Sequence, residues 1–394
     1  MSRHEAKFIK GIIKDVLNKL RRECLVPEHL VGMDRRTHNI YDFLSDARDD
    51  VCIVVGIHGM PGIGKTTIAK VVFNQLCNEF DGSCFLSDIN ERSEQVNGGL
   101  VPLQRQLLQD ILKQDFANIY CVDRGKDLIK QLLCRKRVLV VADDVARQDQ
   151  LDALMGERSW FGPGSRVIIT TRHSSLLREA DQTYQIEELE PDEALQLFSW
   201  HAFKDTKPAE DFIELSKKAV GCCGGLPLAL KVIGALLFRE NKDRWESEID
   251  NLSRIPNNEL QGKLLISYKA LDGEQKRAFL DIACFFIGIE KEYVAKVLDA
   301  RCRYNPEVVL ETLCERSLIQ FHVIKDERQL FGRTVIVTMH DLLRDMGREV
   351  VCELSPLVPG GRTRIWKNDE AWDVLDQQKV RAQCIHESIV MRIF

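Results

Sequence analysis

The stretch GMPGIGKTT at 59–67 sets Gly59, Gly64, Lys65 and Thr66 in the four fixed places of a phosphate-binding loop, G-x-x-x-x-G-K-[ST]. The chemistry explains the residue types. Consecutive backbone N–H groups at a helix N-terminus wrap phosphate oxygens, and side chains at Gly59, Gly62 or Gly64 would obstruct them. Ile63 and Thr67 complete the lining. Lys65 is placed to reach β- and γ-phosphates, and the Thr66 hydroxyl to serve Mg²⁺.

Two further stretches supply matching chemistry. The run RVLVVADD (137–144) is an apolar strand ending in two acids. Behind a phosphate loop, Asp143 would bind Mg²⁺ and Asp144 would polarise an attacking water; the alternative is that the pair caps the following turn. In GPGSRVIITTRH (162–173), Arg172 ends a strand where a γ-phosphate would lie, and its planar fork suits phosphate oxygens. A surface salt bridge is the alternative there. GLPL (225–228) is a turn opening an apolar helix, with Pro227 near the helix start. In MHD (339–341), His340 precedes Asp341, which could equally cap the helix LLRDMGREVV.

The surrounding pattern must position these groups. Residues 5–24 carry an amphipathic helical stripe that Pro27 breaks. From 51 to about 186, strand-like runs (51–57, 83–89, 137–143, 166–172) alternate with helical segments (68–80, 100–112, 126–134). Alternation of this kind predicts an α/β domain with a mostly parallel, covered sheet that binds ligands at the carboxyl ends of its strands. Residues 192–203, 209–223 and 226–238 read as a helical bundle, with breaks at Pro208 and Gly224–Gly225. From about 256, three helical patterns precede a strand–turn–strand (318–324 and 334–340), which suggests a winged helix. The expected organisation is a linker helix over 1–26, a nucleotide domain over 27–187, a bundle over 188–255, a winged helix over 256–365 and a tail over 366–394.

Bulk properties narrow the partners. At 394 residues the chain has room for two or three cores. Its net charge of −5 and pI near 6.1 argue against nucleic acid as a partner. Thirteen cysteines, none in a C-x-x-C pair, read as small buried hydrophobes in a reducing compartment. The run FLDIACFFIGI (279–289) is interrupted by Asp281, and no run reaches membrane-spanning length. The expected location is cytoplasmic or nucleocytoplasmic.

Taken in order, these segments resemble the NB-ARC module of plant intracellular immune receptors, a group of STAND-class P-loop ATPases. GMPGIGKTT matches the P-loop, VLVVADDV kinase-2, GPGSRVIITTRH the next motif, CCGGLPLAL the GLPL motif and MHDLLRDMG the MHD motif. FLDIACFF (279–286) and FDGSCFLSDINERS (80–93) resemble the variants in receptors with an N-terminal TIR domain. LVGMDRR (30–36) resembles the segment where the family's adenine pocket begins, which points to Val31. The likeness covers about residues 25–375. Ala142 and Ala146 depart from the family's usual Leu and Asp, which predicts thinner packing under the strand at 142. The text after Asp376 stops resembling the family, and neither a TIR domain nor leucine-rich repeats are present, so a truncated receptor or adaptor form is expected.

The resemblance implies a switch. ADP would hold a closed state, with His340 reaching the β-phosphate and Pro227 packing near adenine. ATP would favour an open, self-associating state, with slow hydrolysis at most. Implied partners are a nucleotide and either full-length immune receptors or a second copy. The competing expectation is an ATP-dependent transcription regulator that grips DNA with its winged helix.

Overall fold

The computed structural model describes residues 24–46, 50–94, 99–255, 259–299, 305–325, 333–356 and 358–376. The expected helix over 5–24 and the tail after 376 therefore lie almost wholly outside the described residues. The chain divides into two compact units, Met1–Glu187 and Glu188–Phe394.

The first unit is a five-stranded sheet flanked by helices. Its strands are β1 (Ile53–His58), β2 (Gly82–Leu86), β3 (Val138–Val145), β4 (Arg166–Thr171) and β5 (Gln182–Gln185). They lie in the order β2-β3-β4-β1-β5, and every pairing is parallel. All six residues of β4 are buried, as covering on both faces requires of a parallel sheet. The helices are α1 (Met33–Asp46), α2 (Lys65–Leu76), α3 (Ile89–Ser93), α4 (Leu100–Leu112), α5 (Val122–Leu133) and α6 (Gln148–Met155). Leu103, Leu107, Ile129, Leu133 and Leu154 from α4, α5 and α6 close one face over Val140 and Ala142. Ala142 is fully buried, in register with Leu86 on one side and Ile169 on the other.

One strand is shorter than its sequence pattern. The expected strand over 83–89 ends at Leu86, because Asp88 takes a left-handed φ of 52° and Ile89 opens α3. A left-handed residue cannot continue a pleated ladder.

The second unit opens with α7 (Pro191–Phe203), α8 (Ile213–Cys223), α9 (Pro227–Leu237) and α10 (Lys242–Ser253). Gly224 and Gly225, at φ 63° and 68°, turn the chain between α8 and α9, and Pro227 takes the first position of α9, where its missing N–H is no loss. Trp245 on α10 anchors this bundle. It is 1% exposed, its indole N–H donates to the Leu237 carbonyl at 3.0 Å, and its ring meets Phe198, Phe203 and Phe212.

The same unit continues with α11 (Leu260–Lys269), α12 (Gly273–Asp281), a π-helical turn at Ile282–Phe286, α13 (Lys291–Asp299) and α14 (Pro306–Glu315). The antiparallel pair β6 (Gln320–Lys325) and β7 (Arg333–Thr338) follows, then α15 (Asp341–Glu353) and α16 (Asn368–Asp376). Among the described residues, four helices rather than three precede the wing. α13 was missed because only Val294, Ala295 and Leu298 of its nine residues are buried, among charged neighbours.

Candidate nucleotide site

The glycine loop lies between the carboxyl end of β1 and the start of α2. The strand order reverses at β1, which pairs with β4 on one side and β5 on the other while β2 lies at the far edge. In parallel sheets the ligand crevice opens at such a point. Gly64 caps α2 at φ 99°, and a Cβ built on it meets nothing within 4 Å. Its backbone angle, not crowding by the protein, demands glycine, and the space beyond it is open.

Lys65 curls over the loop. Its ammonium donates to the carbonyls of Gly59 at 2.9 Å and Met60 at 3.0 Å, and the residue is 8% exposed. Burial, and after it the Arg172 guanidinium, lower its pKa to about 8, with Asp144 and Asp143 acting the other way. Thr66, one residue on, places its hydroxyl 2.9 and 3.1 Å from the two carboxylate oxygens of Asp143.

Asp143 is 1% exposed at the end of β3. The Thr170 hydroxyl on β4 donates to it at 2.7 Å. Burial pushes its pKa up to about 6, with Asp88 adding to the rise and the two threonine hydroxyls opposing it. The ladder between β3 and β4 slips here: Ala142 pairs with Ile169 and Val145 with Thr171, so three steps face two. This bulge turns Asp144 into the left-handed region at φ 55°. The Asp144 N–H donates to the Thr170 hydroxyl at 2.9 Å, and its carboxylate stands 3.4 Å from Arg172 Nε. Asp143 is buried, and Arg172, about one-quarter exposed, forms an ion pair with Asp144.

Within the first unit the structure thus brings together Gly59, Gly62, Ile63, Gly64, Lys65, Thr66, Asp143, Asp144 and Arg172. Thr67 lies in the first turn of α2. Val31 is 6% exposed, just ahead of α1. Pro227 and His340 belong to the second unit. His340 caps α15: its Nδ1 accepts from the Leu342 N–H at 3.2 Å and lies 2.5 Å from an Asp341 oxygen. One nitrogen cannot accept from an amide and donate to a carboxylate at once, so the tautomer selects which contact is a hydrogen bond.

Two side chains that contact these residues escaped the sequence. Thr170 reads as β-branched filler in VIITT, and only the parallel register reveals it beside Asp143. Arg36 on α1 donates to the carbonyls of Ile63 at 3.4 Å and Glu187 at 2.7 Å, a tertiary contact with no local signature.

The family comparisons bear on this geometry. The model of the NB-ARC domain matches residues 33–208, and that of the "Disease resistance protein Roq1-like, winged-helix domain" matches 272–355. Residues 33–208 belong to the NB-ARC family. Disease resistance protein RUN1 of Vitis rotundifolia is 40% identical over 367 residues, 92% of this chain and 26% of that protein. TMV resistance protein N of Nicotiana glutinosa is 37% identical over 379 residues, 94% of this chain and 32% of that protein. The chain therefore spans about a quarter to a third of the length of these relatives. Among solved structures, a STAND protein with a tetratricopeptide repeat sensor from Pyrococcus horikoshii aligns at 21% identity and a TM-score of 0.46, over 92% of this chain and 47% of that one. An NB-ARC fold with this P-loop binds nucleotide. No helix among the described residues is long and apolar enough to cross a membrane.

The donor set also suits a hard divalent cation. A hydroxyl and a buried carboxylate lie within 3 Å of each other, and oxygen donors of this kind, completed by water and phosphate, are what Mg²⁺ takes. Asp143 is buried with Asp88 and Asp144 as negative neighbours, so a cation there would relieve an otherwise costly charge.

Proposed function

We propose that this NB-ARC module is an ADP/ATP-gated switch in plant defence, and that residues 27–187, 188–255 and 256–365 are its nucleotide, bundle and winged-helix parts. The observation that carries the proposal is the Thr66–Asp143–Thr170 cluster beneath the glycine loop. It joins the P-loop to the ends of β3 and β4 through a charge that is poorly compensated within the protein.

In this scheme the amides of 62–67 and the Lys65 ammonium hold phosphate oxygens. Thr66 and Asp143 hold Mg²⁺, which would screen phosphate charge when bound. Val31 and Pro227 contribute to the adenine pocket. Asp144 orients water and Arg172 restrains its carboxylate. The 3.4 Å pairing of these two supports a slow ATPase, because a carboxylate engaged by a guanidinium must part from it before it can orient water. His340 reaches the ADP β-phosphate in the closed state, and ATP favours an open state that associates with itself or with full-length receptors in the cytoplasm or nucleus.

A nucleotide shifts such a balance only by binding the two states unequally. Moving it from 1:99 to 99:1 takes about 5.5 kcal/mol. One hydrogen bond to a charged group contributes roughly 1.5–3 kcal/mol, so His340 supplies part of the bias and other contacts the rest. The disease-resistance matches of both units favour this scheme over a DNA-gripping regulator. Mass spectrometry of the nucleotide that co-purifies with the native chain tests it. ADP with Mg²⁺ is expected; a chain that neither retains nor takes up adenine nucleotides would refute it.

A further inference from the structure

The P-loop is tied at both ends to the segment by which the chain leaves the first unit. At its start, the Ile186 N–H donates to the His58 carbonyl at 2.8 Å, and a Cβ on Gly59 would stand 3.0 Å from the Ile186 carbonyl. At its other end the link is a side chain. One amino group of Arg36 donates to the Ile63 carbonyl at 3.4 Å, and the other donates to the Glu187 carbonyl at 2.7 Å. Ile63 immediately precedes the Gly64 cap of α2, and Glu187 is the last residue of the first unit. A separate tie holds α1 to β5: the Tyr184 hydroxyl donates to the Asn39 carbonyl at 2.9 Å.

We propose that Arg36 is a positioning residue, a strut that transmits the ordering of the phosphate loop to the exit segment at 186–187. The inference rests on the nucleotide-binding reading above. Peptide carbonyls are strong acceptors, and a guanidinium offers several donors in one rigid plane, so a single side chain spans two carbonyls on different segments. A lysine ammonium gathers its donors at one point on a flexible stem, which serves adjacent carbonyls but does not reproduce a rigid plane spanning two segments. Phosphates that order residues 59–67 fix the Ile63 carbonyl, and Arg36 then holds the Glu187 carbonyl in turn. Without the fork, the loop still orders around phosphate, but the exit segment keeps only its backbone tie at His58 and loses the one beside Gly64, the tie through which the ordering is passed on.

Hydrogen exchange with ADP and Mg²⁺ tests the strut on the full chain and on Arg36→Met, Arg36→Lys and Tyr184→Phe. In the unsubstituted chain, ADP should slow exchange about tenfold or more in peptides covering both 59–68 and 182–188. In the Met and Lys variants the slowing at 59–68 should persist while that at 182–188 falls to under about twofold. The Phe variant should keep both. Persistent slowing at 182–188 in either Arg36 variant would overturn the proposal. Its loss in Tyr184→Phe would overturn it too, since general docking of α1 would then be the cause. If the Met variant does not fold, the Lys variant decides the matter. Absence of slowing at both peptides in the unsubstituted chain would refute nucleotide binding itself, and the strut with it.

Discussion

Lys65 and Asp143 hold opposite charges at costs set by burial, and each makes the site sensitive to pH. Burial lowers the Lys65 pKa to about 8. Phosphate needs the ammonium form, so ADP affinity should hold from pH 7 to 8 and then fall by up to about tenfold per pH unit. Calorimetric titration across pH 7–9.5 checks this, with Lys65→Ala showing a weak, flat profile, at least about 50-fold down at pH 7. Asp143 behaves in the other sense. Its folded pKa is about 6 against an ordinary 3.8, so between these values the folded chain binds more protons than the unfolded one. Its stabilising contribution is full below pH 4 and is lost as pH rises through 6, roughly 3 kcal/mol in all. Asp143→Asn keeps an acceptor for both threonines and should match the parent below pH 4. Without nucleotide it should be more stable by about 1–3 kcal/mol at pH 7. Thermal melts at several pH values would show the two curves separating between pH 4 and 6.5, or refute this.

The elements show where sequence patterning suffices and where it fails. The expected helix over 100–112 coincides with α4, because its apolar residues recur at three and four and Gly99 stops the chain before it. α10 escaped: KDRWESEIDNLS offers Trp245, Ile249 and Leu252 among charges, and its fold is decided by the aromatic cluster it completes. The P-loop, Asp143 and Arg172 were legible because phosphate chemistry restricts their residue types. Thr170 and Arg36 were not, since their roles arise only from register and tertiary approach. Asp281 lies between these cases. It stood out as the acid interrupting FLDIACFFIGI, and the structure supplies its reason. Its carboxylate lies 2.6 Å from Arg364 Nε with both side chains 7% exposed, and Arg364 also donates to the Arg277 carbonyl at 3.1 Å. Removing one partner strands a buried charge, so Asp281→Leu should lower stability by about 3–5 kcal/mol. The double variant Asp281→Leu with Arg364→Met should recover most of the loss. Denaturant unfolding monitored by tryptophan fluorescence measures both.

At the scale of the whole molecule, the proposed switch draws on both units. Lys65, Asp143 and Arg172 stand in the first, Pro227 and His340 in the second. The expected signature of a clamp is therefore unequal nucleotide loss. His340→Ala should weaken ADP about tenfold or more and a non-hydrolysable ATP analogue by less than about threefold. Equal losses, read by competition with a fluorescent nucleotide, would remove His340 from the switch. His340 also caps α15 through Nδ1, so His340→Asn, which retains a capping acceptor, separates the phosphate role from the helix-end role.

The bulge that turns Asp144 outward also limits what can replace it. A φ of 55° is open to glycine, to asparagine and to aspartate itself, and strained by about 1–2 kcal/mol for most other residues. Position 144 therefore favours a short alphabet: asparagine and glycine replace aspartate without strain, whereas other residues carry the cost that Lys113, Lys204, Arg239 and Ser317 already carry elsewhere in this chain. On the proposed role of Asp144 in orienting water, loss of that role would be steered by backbone shape toward asparagine or glycine, leaving the rest of the proposed nucleotide pocket intact.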